Sequence, residues 1–544
     1  MADARHRDPA VDRDTLRRIQ GVAQSGNVAG AAGLAEEALA SGLEHPFLFN
    51  LVALERENRG QLDQAVELLR RALEIKPEDI GCLHALGILL NRLEDSQEAL
   101  RNFDAVIRLN PSFAPAHACR GAALEALGIL DDAEQSYRRA LELQPGNLAA
   151  KDGMASLCSR RGDHANARRL AEEVLRLEPN FPSAVMHVAA ADLAAGAADR
   201  AEAAIRTLLA DPRPSRVEKS LARSILGDAL DEQGRFDEAF EAYSESNEER
   251  RAVYAGRFAG GETALEHARW LNRYFEQAEV EDWKRSESPS RAGGHVFLIG
   301  FPRSGTTLLE QVLASHPQVD TLEEKETLID AVREYLREPE GLDRLARAQQ
   351  SELESFRTRY WQRVAEHGAG IEGKLFVDKH PLNALKLPLI ARLFPGARVL
   401  FAVRDPRDVI FSCFRRRFRM SKPYYQLLSL QGAAAFYDAV MQLTVRLETL
   451  LQMPTAKVRL ESVIADFEGE AHRICEFIGL EWNSSLRNFA ARSRDRSIAT
   501  PSAAQLAGGL SASGIGQWRP YRRHLASVLP LLEPWTTRFG YRAE

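Results

Sequence analysis

A chain of 544 residues is too long for one ordinary domain and predicts two to four, each able to bury its own core. Its composition, 45% apolar and 27% charged with a formal net charge of −6, is ordinary globular usage, so bulk charge draws it toward neither nucleic acid nor a membrane surface. Five cysteines (Cys82, Cys119, Cys158, Cys413, Cys475) lack C-x-x-C spacing, which argues against a disulfide framework or zinc cluster and predicts packing residues in a reducing, cytoplasmic setting.

The first stretch, "MADARHRDPAVDRD", has no apolar core after its basic residues and is read as lacking a secretory leader. No run anywhere approaches the ~18 apolar residues of a membrane span. A repeat follows. Pro77, Pro111, Pro145 and Pro179 stand 34 residues apart; Ala65, Ala99, Ala133 and Ala167 precede them by twelve, and Leu69, Phe103, Tyr137 and Ala171 by eight. Small residues let two helices approach, larger ones fill the groove beside them, and proline stops the second helix. These residues, with Gly87, Gly121 and then Ala155 on the first helix, resemble the tetratricopeptide family. The match is strong from Pro46 to about Phe181, weakens after it, and returns with Gly227, Ala239 and Tyr243, giving about six units plus a degenerate one near Leu16 to Ala40. The resemblance implies a superhelix whose concave face binds a protein or peptide; a spacer or dimerisation arm is the alternative.

A connecting helical stretch then leads to "ESPSRAGG", a loop-like cluster that puts the domain boundary near Glu287 to Gly294. "HVFLIG" is a short apolar run bounded by glycine, as in a strand buried on both faces of a parallel sheet. The next residues, "GFPRSGTTLLE", nearly satisfy the phosphate-loop pattern G-x-x-x-x-G-K-[ST]: Gly300 and Gly305 keep the spacing and Thr307 supplies the hydroxyl, but Thr306 takes the lysine's place. Leu308, Leu309, Val312 and Leu313 then recur at helical spacing. Strand, glycine loop and helix in this order aim backbone N–H groups and a helix dipole at one anion. "KLFVDK" (374–379) and "ARVLFAVRD" (397–405) read as further strands with the helical "NALKLPLIARLF" between, so the sheet is expected to be parallel in a three-layer α/β domain. Arg303, Lys379 and Arg404 follow strand ends, where open α/β sheets place ligands.

Together, "FPRSGTTLLEQVLASHPQV", "VDKHP" and "VRDPRDVIFSC" resemble the sulfotransferases that use 3′-phosphoadenosine 5′-phosphosulfate (PAPS), particularly the tyrosylprotein branch. The resemblance covers roughly Val296 to Tyr521. It implies that Arg303, Ser304, Gly305, Thr306 and Thr307 form the 5′-phosphosulfate loop and that Arg404 and Ser412 hold the 3′-phosphate. It further implies that Lys379 meets the transferring sulfuryl group, that Glu324 is the general base, and that Trp518 closes over the nucleotide. PAPS is the co-substrate and no metal is assigned, since the histidines lack metal-ligand spacing. The acceptor is a peptide tyrosine, a glycan or a small molecule.

Two departures stand out: Glu326 where that branch has arginine, and Leu460 where an aromatic commonly flanks the adenosine. Glu323 beside Glu324 leaves either as the base. The basic run "RRRFR" (415–419) reads as a solvated face or as an attractor of acidic acceptors. Two other functions remain: a P-loop kinase or nucleotidase with Asp378 holding magnesium, and an inactive binding scaffold. The expected layout is a tetratricopeptide array over 12–253, a connector and linker over 254–293, and a sulfotransferase domain over 294–544.

Overall fold

A computed structural model of the protein describes residues 9–258, 260–279, 283, 293–490 and 510–542. Most of the linker expected near residues 287–294 lies outside them. The chain divides into two compact units, Met1–Arg235 with Glu248–Ala259, and Phe236–Asn247 with Gly260–Glu544.

In the first unit, α-helices follow one another from Pro9–Gln24 to Arg216–Glu232. The second helices of four repeats end at Ile75, Leu109, Leu143 and Leu177, two residues before each phased proline. The intervening Lys76, Asn110, Gln144 and Glu178 have left helical backbone geometry, as a following proline requires. Ala65, Ala99, Ala133 and Ala167 are buried to the last per cent, where the helices touch. The glycines follow from the rings they face. A Cβ on Gly87 would stand 2.6 Å from the Phe103 ring, and one on Gly121 2.6 Å from that of Tyr137. Gly153 presses on the same Tyr137 ring, at 2.2 Å. One repeat later Ala171 replaces the aromatic, and the facing position can then carry the methyl group of Ala155; both are buried in one cluster. The repeat is thus a volume rule, and its sequence variation is compensated.

The second unit is built on a five-stranded sheet: β1 (Gly294–Ile299), β2 (Val319–Glu323), β3 (Leu375–Lys379), β4 (Arg398–Val403) and β5 (Thr455–Arg459), in the order β2-β3-β1-β4-β5. Every pairing is parallel. Alternation along β1 sends Val296 and Leu298 into a core with the helices Thr306–Ala314 and Phe467–Ile478. It sends His295 and Phe297 to the other face, among Tyr360, Trp361 and Phe394. Helices therefore cover both faces of the sheet, as the apolar runs of the inner strands require. Two strands, β2 and β5, were not among those read from the sequence. β2 and β5 are edge strands with several half-exposed positions, so neither presents an unbroken apolar run. The stretch "NALKLPLIARLF" is a 3₁₀ turn, Pro381–Lys386, followed by the helix Leu387–Leu393. Among the described residues no helix is long and apolar enough to cross a membrane.

The glycine-to-ring contact yields a stability test. Gly121→Ala should destabilise the full chain by about 1–3 kcal/mol through overpacking, and Tyr137→Ala by about 3–5 kcal/mol through the cavity it leaves. The double variant should fall short of their sum, because the clash disappears with the ring. Chemical denaturation followed by far-UV circular dichroism reads all three.

Candidate active site

The loop after β1 is shaped by two positive-φ residues, Arg303 (71°) and Gly305 (99°). A Cβ on Gly300 would fall 2.5 Å from Ser304 Oγ and 2.9 Å from the carbonyl oxygen of Ala402 on β4, so only glycine lets the loop ride over that strand. Ser304 closes the turn: its N–H donates to Phe301 O at 3.0 Å, and its hydroxyl accepts from the Phe301 N–H at 3.3 Å. The helix Thr306–Ala314 starts at Gly305 with no side-chain cap. N–H groups of a first turn have no acceptor within the helix, and its dipole is positive there. Ser304, Thr306 and Thr307 are buried in the cradle, and Leu460 packs against Gly305.

Arginines surround this loop. Arg303 Nε donates to Ser412 Oγ at 2.9 Å, and Arg404, directly after β4, donates to the Arg303 carbonyl at 3.0 Å. Arg404 also donates to the carbonyl of Gly514, while its buried Nε has no hydrogen-bond partner among the described residues. Burial and then the cations of Arg416, Arg404 and Arg415 push Arg303 down to about 9, which leaves it charged at neutral pH. Like charges held this close in a partly buried cradle favour an anion. The fragment resemblance had not selected Arg416; its only sequence signal was its place in the basic run, twelve residues after Arg404. That run is not simply a solvated face: Arg415 lies over the rings of Tyr243 and Phe411, and only Arg419 of the five is fully exposed.

At the end of β3 the Lys379 side chain is 0% exposed and faces three carboxylates, Glu324 at 2.9 Å, Glu323 at 3.3 Å and Glu310 at 3.8 Å. Strand register explains the first two, since Glu323 of β2 pairs with Lys379 and the Glu324 N–H donates to the Lys379 carbonyl at 2.7 Å. Glu310 reaches in from the loop's helix, held by the Thr321 hydroxyl at 3.0 Å. Burial opposes the ammonium charge, but the carboxylates raise its pKa well above the ordinary lysine range. Burial likewise pushes Glu324 up, yet Lys379, His380 and Arg303 outweigh it and hold the carboxyl below its ordinary value. Lys379, Glu324 and Arg303 thus lie within one electrostatic field, although 76 residues separate the first from the last.

Glu326, exposed at the rim, binds His380 at 3.3 Å and Lys386 at 2.6 Å, and these partners hold its carboxyl below the usual range against partial desolvation. Asp378 cannot serve a loop-bound magnesium ion: it is 0% exposed and accepts hydrogen bonds from Thr327, Tyr360 and Asn383. Trp518 is also buried, with the Arg407 guanidinium 4.1 Å over its ring and its backbone N–H donating to the Asp408 carboxylate at 3.0 Å. Among the described residues no cluster of His, Cys, Asp and Glu is placed to hold a metal.

Residues 295–484 match the sulfotransferase family. Residues 48–79 and 84–147 match tetratricopeptide repeats. The chain joins a tetratricopeptide array to a sulfotransferase-family domain. An uncharacterized protein of Aquifex aeolicus (strain VF5) is 24% identical over 431 residues, covering 76% of this chain and 53% of its own length. Protein-tyrosine sulfotransferase A of Caenorhabditis elegans is 24% identical over 220 residues, 36% of this chain and 53% of its own. Protein-tyrosine sulfotransferase 2 of Gallus gallus is 24% identical over 200 residues, 35% and 52% respectively. The chain spans about half the length of each of these relatives.

The buried lysine of the sulfotransferase-family domain makes a thermodynamic prediction. Lys379→Met leaves the carboxylates uncompensated and should destabilise the protein by about 3–5 kcal/mol at neutral pH. Glu324 has a depressed folded pKa, so its contribution is full at neutral pH and lost as pH falls through that value. The gap between variant and parent should therefore narrow below about pH 4 in denaturation curves.

Proposed function

We propose that the chain is a sulfotransferase that moves a sulfuryl group from PAPS to a hydroxyl acceptor, with a peptide tyrosine as first choice and a glycan or small molecule next. The observation that carries this reading is the meeting, at the carboxyl ends of one parallel sheet, of an arginine-ringed glycine loop with a lysine–carboxylate centre. The donor set fits a nucleotide with two separate anionic ends. Gly300 and Gly305 leave room for close backbone approach, Arg404 keeps a buried Nε–H to donate, and three further arginines press on Arg303 in the loop.

In this reading residues 303–307 hold the 5′-phosphosulfate, while Arg404 and Ser412 hold the 3′-phosphate. Glu324 takes the proton of the acceptor hydroxyl as its oxygen attacks sulfur in line. The bond from sulfur to the bridging oxygen breaks, and its electron pair leaves with the 5′-phosphate of adenosine 3′,5′-bisphosphate. Arg303 and Lys379 meet the charge gathering on that phosphate. The cations are side chains, so the step requires no magnesium. Glu324 is preferred to Glu323 as base because its carboxylate lies nearer to Lys379, and because it shares a field with Arg303. Trp518 belongs to the segment that closes near Arg404 through Gly514.

We assign 12–253 to the repeat array, 254–293 to the connector and linker, and 294–544 to the transferase. The array recruits or orients a protein or peptide partner on its concave face, with the acceptor as first choice, in the cytoplasm.

Two measurements test the reading. Turnover of PAPS, followed by mass spectrometry for the gain of one SO3 group and sorted by acceptor class, should persist in EDTA; abolition by EDTA would favour a magnesium-dependent kinase or nucleotidase. Glu324→Gln should lower kcat by about 10²–10⁴-fold while adenosine 3′,5′-bisphosphate still raises Tm. A rise in Tm without any turnover in the parent would point instead to an inactive scaffold.

A further inference from the structure

Next to Lys379 the strand buries a second ionisable side chain, Asp378, and it grips the same turn. Successive residues of a strand face opposite sides, so β3 turns Lys379 toward Glu310 on the loop's helix and Asp378 toward Tyr360 on the helix Gln350–Glu366. The Asp378 carboxylate accepts from the Thr327 hydroxyl at 2.8 Å, from the Tyr360 hydroxyl at 2.8 Å and from the Asn383 amide at 3.4 Å. Tyr360 has given its one proton to Asp378, so His295 Nε2, 2.9 Å away, must donate to the phenol oxygen. His295 Nδ1 is then a bare acceptor, and it is the ring atom that lacks a hydrogen-bond partner. Burial pushes His295 down to about 3, so the ring is neutral; burial also pushes the Asp378 carboxyl up, against the hydrogen bonds from Thr327 and Tyr360 that favour its ionised form.

The chain bends at Glu324, which has a φ of +46°, and turns at Thr327, three residues on, into the helix Ile329–Tyr335. That left-handed geometry is strained for a non-glycine residue and persists only where the surroundings enforce it. Two neighbouring residues of one strand do so: Lys379 holds the front of the turn through its carbonyl and ammonium groups, and Asp378 holds its far end through Thr327. We propose that Asp378, acting through Thr327 and braced by Tyr360 and His295, is the positioning residue that fixes the Glu324 carboxylate in the site. This rests on the assignment of Glu324 as the base.

The test uses the full chain with the near-isosteric Thr327→Val, which removes one hydrogen bond, and Thr327→Ser, which restores it. Hydrogen exchange of the segment 319–328, followed by mass spectrometry, reads the turn directly through the Glu324 amide. With Thr327→Val, exchange there should accelerate about tenfold or more. kcat should fall roughly 10- to 100-fold with the KM for PAPS nearly unchanged. The acid limb of the kcat–pH profile should move to higher pH, because a carboxylate freed from Lys379 regains its ordinary pKa. Thr327→Ser should recover all three. Unchanged exchange in Thr327→Val, or a serine variant no better than the valine one, overturns the clamp. Faster exchange with unchanged kcat upholds the clamp and overturns the assignment of Glu324 as the base it serves.

Discussion

A lysine ammonium sealed from solvent survives only where carboxylates replace its water, and that constraint organises the sulfotransferase-family half of this protein. Lys379 sits at the end of a central strand with no exposure, so Glu310, Glu323 and Glu324 have to converge on it. Each comes from a different element: the helix after the glycine loop, the edge strand β2, and the turn beyond it. Neutralising one buried cation therefore ties the phosphate loop's helix to the sheet edge and brings the proposed base beside the loop. The Asp378 carboxyl accepts from Thr327, three residues past Glu324, on the other face of the sheet, and in the proposed clamp the base is held on both sides.

The loop itself obeys a complementary constraint. Where Lys379 has too many anions, Arg303 has too many cations: Arg404, Arg415 and Arg416 all press on it. The fold thus separates charge over a short distance, with positive groups around the glycine loop and negative groups around the lysine. Such a field suits a reaction in which an anionic leaving group departs toward one end while a proton is taken up at the other. A phosphate-loop lysine at position 306 is unnecessary in that arrangement, because Arg303 within the loop and Lys379 beyond it supply the charge. Thr306 in its place packs into the cradle.

Much of this was legible in the sequence, for identifiable reasons. The 34-residue phase of Pro77, Pro111, Pro145 and Pro179 marks helix ends because proline acts on its own chain neighbours, and the glycine loop shows itself because strand, turn and helix are contiguous. The three inner strands β1, β3 and β4 were visible as short strand-like runs, the first of them unbroken and apolar. What escaped detection depends on distance across the fold. Glu310 looks like any helical glutamate until β3 brings Lys379 opposite it, and Arg416 was hidden within a run that reads as surface charge. The edge strands β2 and β5 lack the apolar continuity of the centre. Asp378 had a plausible metal-holding role in the sequence, and only its burial with Thr327, Tyr360 and Asn383 removes it.

The central claim is that the arginine-ringed loop is built for a nucleotide carrying phosphates at both its 3′ and 5′ positions and needs no metal to hold it. Calorimetric titration of the full chain with adenosine 3′,5′-bisphosphate and with ADP, both in EDTA, tests it most directly. The account predicts binding of the bisphosphate at least about tenfold tighter than ADP, a difference of about 1.4 kcal/mol, with Arg404→Ala erasing the preference. Equal affinity for the two nucleotides, or binding that appears only when magnesium is added, would contradict it.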